Sequence, residues 1–254
     1  MTGFGDRLVG ICLALQTAQI HDIERIYYWD DVDEDWRKSH FPESIGSMID
    51  LDNVEFVHSA VDSIPKSDIN ILNYAYDEKH RPQWKSNPNL DKITCSLPIL
   101  SHIRLKNKEI EKKAEDFAKK WPAIHVRSTD AWVLANRVNN VDEDQRRDLI
   151  VSEIAKAKIK RILFSADSDQ PKYMQDFHKK GIKVKKTNEK FDDSNLRQTS
   201  MEQMLFDWWV LRSSEKIYTN LWSGFGATAA AAAGIPYIGY IGSKIRFQSS
   251  RYRI

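Results

Sequence analysis

Hydrophobic positions change their period along this chain, and the second half shows the change most clearly. The run 123–127, Ala-Ile-His-Val-Arg, is apolar until it stops on a charge, which predicts a short buried strand. A charged helical pattern over 142–157 follows, then a strand at 161–167, a helix at 171–180 and a strand at 182–184. Ser200 with Gln203 has the spacing of a capping box for a helix running to Arg212. A strand at 216–221, an alanine-rich helix and a strand at 235–240 complete the series. Short, continuously apolar strands alternating with helices predict a parallel sheet covered on both faces.

The first half is less regular. Leu8, Ile11, Cys12, Leu15 and Ala18 form one stripe of a helix over 6–19. Strand patterns occur at 23–29 and 54–57, with a weaker one at 69–74. A highly charged helix over 107–120, just before Trp121-Pro122, reads as the connection between two lobes. The expected class is therefore α/β, with an N-terminal lobe over 1–120 and a C-terminal lobe over 121–254.

Composition narrows this only a little. Of 254 residues, 41% are hydrophobic and eight are Trp, enough for a packed core, which excludes disorder, collagen and coiled coil. The 38 basic and 36 acidic residues leave +2, so charge alone argues for neither nucleic acid nor a membrane surface as partner. Cys12 and Cys95 make no disulfide framework. The start carries no basic segment followed by an apolar one, so a soluble, cytoplasmic protein is expected. The uncharged stretch 217–243 is long enough to raise a membrane helix. Ser223-Gly224, Gly226 and Gly234-Ile235-Pro236 interrupt it, and its middle is alanine, which fits a buried helix between buried strands.

Open parallel sheets bind ligands beyond the carboxyl ends of their strands. Arg127 closes the first strand of the second half, Asp167 closes the next, and Trp222-Ser223-Gly224-Phe225-Gly226 follows the fourth. A glycine-rich turn opening a helix favours phosphate through its unpaired N–H groups and dipole. A guanidinium adds a permanent charge with a fork of donors. A carboxylate suits ribose hydroxyls or a base. Together they describe a nucleotide or nucleotide-sugar pocket. Each has a plainer reading alone: a solvated arginine, simple turn chemistry, and for His125 a hydrogen-bonded core histidine that could also orient Arg127. Among Trp132, Trp208, Trp209 and Trp222, the last flanks the turn and is the better ligand contact. Trp208 and Trp209 are adjacent on a helix, so at least one belongs to the core. The basic tail Lys244, Arg246, Arg251 and Arg253 is either a solvated end or a return to the first lobe.

Three blocks resemble the GT-B fucosyltransferase superfamily, which includes α-1,2, α-1,6, nodulation-type and protein O-fucosyltransferases. Gly3-Phe4-Gly5-Asp6-Arg7-Leu8 is similar to its G-x-G-N-R-L loop, and His125-Val126-Arg127-Ser128-Thr129-Asp130 to its H-x-R-x-x-D motif. The third runs from Met201-Glu202-Gln203 through Trp222-Ser223-Gly224-Phe225-Gly226, and the strand ending Asp167-Ser168-Asp169 also fits. The resemblance implies two Rossmann-like lobes, the first here either reduced or trimmed at its start, and inverting, metal-independent transfer of fucose from GDP-fucose to a glycan or other hydroxyl acceptor, with no cofactor. It implies Arg127 on the β-phosphate, with Ser223, Gly224 and Phe225 on the phosphates. Asp167 would face the nucleoside, and His125 and Asp130 would shape the pocket. Gly3, Gly5 and Arg7 would belong to the first loop. Asp6 stands where the family has Asn, either as general base or as a helix N-cap. The tandem arginine of some members is absent, since Ser128 follows Arg127, and the strand that precedes the first loop in the family is missing from the sequence.

Two rivals remain. Asp167-Ser168-Asp169 is also the D-x-D spacing of metal-dependent glycosyltransferases, though Ser168 or Asp169 could instead cap the helix near Pro171. A nucleotide- or glycan-binding module without chemistry is the other.

Overall fold

The computed structural model describes residues 4–20, 24, 26–29, 44–57, 94–95, 100–127, 143–191, 199–220, 223–241, 244–249 and 252–253. The chain divides into two compact units, Met1–Asn107 with Arg251–Ile254, and Lys108–Ser250.

In the first unit, helix α1 (Phe4–Ile20) buries Leu8, Ile11, Leu15 and Ala18, four of the five positions of the expected stripe. The side chain of the fifth, Cys12, lies outside the described residues. Strand β1 (Ile26–Trp29) starts later than the pattern suggested. The short helix α2 (Ile45–Met48) leads into β2 (Ile49–Asp50), and β3 (Val54–Val57) then pairs with β1 in parallel. Strand β4 (Thr94–Cys95) and strand β5 (Arg104–Leu105) are short; β5 pairs antiparallel with β2. The strand expected at 69–74 lies outside the described residues.

The second unit opens with helix α3 (Lys108–Ala118), which packs against a later helix of the same unit. The helix expected to link two lobes is thus a component of one of them, and the units divide at Asn107 instead of residue 120. The remaining elements are β6 (Ala123–Val126), α4 (Glu143–Lys156), β7 (Arg161–Ala166), α5 (Pro171–Lys179), β8 (Lys183–Lys186) and α6 (Met201–Arg212). After them come β9 (Ile217–Thr219), α7 (Gly224–Ala233), β10 (Tyr237–Ile241) and β11 (Lys244–Ser249). The strands lie in the order β11-β10-β9-β6-β7-β8, with β10 through β8 parallel and β11 antiparallel at one edge. The final strand β12 (Tyr252–Arg253) pairs antiparallel with β4 in the first unit. Of the basic tail, Lys244 and Arg246 stand in β11 and Arg253 in β12; Arg251 lies outside the described residues.

Every residue of β6 and β9 is buried, because the sheet has helices on both sides. One face carries Ile124, Val126, Ile162, Phe164, Ala166, Tyr218 and Ile238 against Ile150, Val151 and Ile154 of α4 and Tyr173 and Phe177 of α5. The alternate positions turn toward α6 and α7: Ser165 meets Asp207, and His125 meets Phe225. Six of the ten residues of helix α7 are alanine, and the small side chains let it lie against α6 with Ala229, Ala230, Ala231 and Ala232 buried. Gly234 ends it in the left-handed region at φ 67°, where glycine carries no Cβ penalty. Among the described residues no helix is long and apolar enough to cross a membrane.

Helix α6 departs from expectation at its cap and agrees with it at its tryptophans. Ser200 Oγ accepts from Gln203 N at 3.1 Å, but the Gln203 amide does not return to Ser200. It donates instead to Thr187 O at 2.9 Å and Asp207 Oδ1 at 2.6 Å, so only half the capping box forms. Trp208 and Trp209 are both core. Trp208 Nε1 donates to Thr228 Oγ1 at 3.1 Å and Trp209 Nε1 to Glu115 Oε1 at 3.3 Å, which seats α6 between α7 and α3. Removing the Trp208 ring opens a cavity between α6 and α7. Trp208→Ala is expected to cost about 3–5 kcal/mol in urea unfolding, and a loss below about 1 kcal/mol would show that the helices close the gap themselves.

Candidate functional site

Across the sheet, β6, β7 and β8 step in one direction, and the chain then returns to lay β9 on the other side of β6. In open parallel sheets ligands bind where the strand order reverses, which here is at the carboxyl ends of β6 and β9. Arg127 leaves β6 at this point and Asn220 leaves β9. Arg127 N donates to Asn220 Oδ1 at 3.0 Å, and Asn220 Nδ2 donates to Arg127 O at 3.0 Å. Asn220 is buried, so water does not compete for either bond. One amide thus pins the two strand ends together and fixes the backbone from which the Arg127 side chain departs.

Three residues after Asn220, Ser223 takes the N-cap position of α7 with an extended backbone (φ −139°, ψ 126°). Its N–H donates to the Tyr237 hydroxyl at 3.1 Å, which donates in turn to Ser223 O at 3.3 Å. An N-cap serine normally turns its hydroxyl onto an N–H two or three residues ahead. Ser223 does not; its Oγ is buried without a hydrogen-bond partner among the described residues. His125 Nδ1 is a second such atom. The His125 ring lies 5.3 Å from the Phe225 ring in the first turn of α7. Gly226 allows that approach, because a Cβ there would stand 3.0 Å from Tyr237 Cε2 and 3.2 Å from His125 Nδ1. A buried polar atom left unpaired costs about 1–3 kcal/mol. Two of them face a helix start whose N–H groups and dipole attract anions.

The charges converge as well. Burial pulls His125 down to about 4, Asp167 works against that shift, and Arg127 adds to it, so both ionic groups lie within electrostatic reach of the ring. Burial pushes Tyr237 up to about 12, and Arg127 opposes that shift. The structure therefore brings together His125, Arg127, Asp167, Ser223, Gly224 and Phe225 at one end of the sheet. Gly3, Asp130, Trp132 and Trp222 lie outside the described residues, as does the side chain of Asp6. Helix α1 begins at Phe4, so Asp6 stands inside its first turn and is not its N-cap. Gly5 and Arg7 are buried in the same turn of the first unit.

Of the D-x-D pair, Asp169 is exposed, accepts from Gln170 N at 3.0 Å and lies 3.8 Å from Lys186 Nζ. Helix α5 has Gln170 as N-cap, with Pro171 next, so neither Ser168 nor Asp169 caps it. Among the described residues no three His, Cys, Asp or Glu side chains gather as a metal-ligand group.

Sequence reasoning passed over Asn220, Tyr237 and Asp207. Only Asp207 carried a signal, as a lone carboxylate inside the apolar run 205–211 of α6. It is buried below the end of β7, accepting from Gln203 Nε2 and, at 3.5 Å, from Ser165 Oγ. Burial pushes its carboxyl up to about 7 against the opposing pull of Thr187, Gln203 and Ser165.

Two measurements test this geometry. Gly226→Ala inserts a methyl against Tyr237 and His125, and is expected to cost about 1–3 kcal/mol in urea unfolding. The second concerns pH. Between about 4 and 7 the folded chain holds a proton on Asp207 that the unfolded chain has lost, so stability falls as pH rises through that window. His125 acts oppositely: from about 4 to its ordinary 6.5 the unfolded chain binds the proton, so stability rises with pH. Asp207→Asn removes the first contribution. The urea midpoint of that variant should climb more steeply from pH 4 to 6.5 than that of the parent; parallel curves would refute the assignment.

No family model matches the sequence, and no curated protein matches it. Solved structures do. The NodZ α-1,6-fucosyltransferase soaked with GDP-fucose superposes over 100% of this chain and 96% of its own, with TM-score 0.56 and 14% identity. The fucosyltransferase NodZ from Bradyrhizobium matches over the same shares at TM-score 0.53 and 14% identity. The chain also spans about half the length of POFUT1, 48% of the form in complex with GDP-fucose, at TM-score 0.39 and 13% identity, too loose for residue correspondence. The chain has the GT-B fold of the fucosyltransferase NodZ.

Proposed function

We propose that this protein is an inverting, metal-independent glycosyltransferase that moves fucose from GDP-fucose to a glycan or other hydroxyl acceptor. The observation that carries the proposal is the buried Ser223 hydroxyl, without a hydrogen-bond partner among the described residues, at the start of α7 and at the same end of the sheet as the pinned Arg127. A diphosphate supplies acceptor oxygens for this hydroxyl, at a helix start whose dipole favours anions. The Arg127 guanidinium supplies a fixed positive charge. Asp167 at the end of β7 is suited to the ribose or base of the same nucleotide. The fold match to NodZ supports GDP-fucose as donor, since the matched structure was soaked with that compound.

In the proposed reaction the acceptor hydroxyl oxygen bonds to the anomeric carbon as the bond from that carbon to the β-phosphate oxygen breaks. The sugar passes through an oxocarbenium-like state, and negative charge grows on the departing GDP. Arg127 and the first turn of α7 stabilise that charge through groups already in place, a contribution of the kind made by an oxyanion hole. The hydroxyl proton goes to a base, for which Asp6 is the candidate in the sequence. His125, held neutral by burial, lines the pocket beside Arg127 without adding a competing cation.

The test is a thermal-shift series followed by a transfer assay. GDP is expected to raise the melting temperature with or without Mn²⁺, and transfer is expected to survive EDTA. Arg127→Ala should reduce transfer by about 10²–10³-fold with circular dichroism unchanged. Stabilisation by GDP with no transfer to any acceptor would assign a binding module, and full loss of transfer in EDTA would assign the metal-dependent reaction. An absence of stabilisation by GDP would remove the nucleotide altogether.

A further inference from the structure

We infer that the amino-terminal end of the second unit's sheet, opposite the Arg127 end, is a docking surface for an anionic lipid bilayer. Lys120, Lys158, Lys160, Arg161, Lys180 and Lys183 are all exposed; Arg161 and Lys183 open β7 and β8, and the others stand in the turns that lead into β6, β7 and β8. Those three strands are neighbours in the sheet. Lys183 N donates to Lys160 O at 2.9 Å, and Arg161 is the register partner of Lys183, so these cations occupy adjacent rows. None of the five lysines forms an ion pair among the described residues. Among the described residues the carboxylates toward the same end are Glu115, Asp116, Glu153, Asp176 and Glu215; Glu115 accepts from Trp209 Nε1, Asp176 is paired with Arg147 and Lys179, and Glu215 with Lys216 at 3.1 Å. A net charge of +2 over the chain conceals this asymmetry.

A plainer account covers only part of the cluster. Lysines that follow a helix offset its negative dipole end, which explains Lys120 after α3, Lys158 after α4 and Lys180 after α5. Lys160, Arg161 and Lys183 lie at strand starts, where no such end needs them. Shape then favours a bilayer over a peptide or a nucleic-acid strand. Helix α3 packs with α6 on one side of the sheet, and α4 and α5 pack on the other, so the cations spread over the cross-section of three layers. A broad end of this kind meets a plane. Trp121 belongs to the same rim, half-buried, with the Arg161 guanidinium 5.4 Å from its ring, and indole suits the headgroup region of a bilayer. Clusters of four to eight Lys and Arg bind acidic lipid surfaces through charge alone, weakened by salt. The surface is independent of the transferase proposal and leaves the Ser223 end of the sheet open.

The experiment is co-sedimentation of the full chain with vesicles of phosphatidylcholine, alone or with about one third phosphatidylserine. Binding is expected only to the acidic vesicles and should fall at least about tenfold in the variant Lys158→Glu/Lys160→Glu/Lys183→Glu. Because all three side chains are exposed, the melting temperature and its response to GDP should stay as in the parent. A control variant reverses Lys108 and Lys113, each already paired with a glutamate at 2.9 and 2.7 Å, and should keep vesicle binding. No binding to acidic vesicles overturns the inference, as does equal binding by the triple variant. Binding to a polyuridylate oligonucleotide with none to vesicles overturns it in favour of nucleic acid.

Discussion

The second unit depends on one reversal of direction. After β8 the chain must cross back to start β9 beside β6, and the carboxyl ends of β6 and β9 meet at that reversal. That leaves a seam, since the ladder between the two strands stops at their ends. The Asn220 side chain closes the seam with two 3.0 Å bonds to the Arg127 main chain. An amide suits this place because it offers one donor and one acceptor at the spacing of a peptide group. The candidate phosphate cradle on α7 and the candidate cation on β6 are consequently parts of one rigid assembly.

Rigidity here comes with polar atoms buried at the sheet end. His125 is held neutral, Asp207 is pushed toward neutrality, and Ser223 keeps a hydroxyl that caps nothing. An apolar layer would be more stable. Polar groups held in place before a ligand arrives need little rearrangement when charge develops, which is what the proposed transfer would require. The alanines of α7 serve the same end, since larger side chains would hold the helix start away from the sheet.

Much of the second unit was legible in the sequence because continuous apolar runs have few alternatives once helical patterns separate them. Strand starts and helix ends fell within a residue or two, and Arg127, Asp167 and Ser223 fell where ends of strands place them. What could not be read is what depends on distance in space. Asn220 looks like any polar residue ending a strand, and its partner is 93 positions away. Tyr237 reads as one more apolar strand residue until its hydroxyl meets Ser223. Gln203 has the spacing of a capping box, but Thr187 and Asp207 offer its amide closer partners, and no local pattern reveals that competition. In the first unit, strands of two and four residues carry too few apolar positions for a period to emerge.

The last pairing, β12 with β4, has a consequence for biogenesis. Residues 252–253 join a strand at 94–95, so the whole of the second unit intervenes between the two halves of one small sheet. During vectorial synthesis on the ribosome, units tend to fold as they emerge. Here the unit made first is completed last, and Lys108–Ser250 can pack while its predecessor still awaits its closing strand.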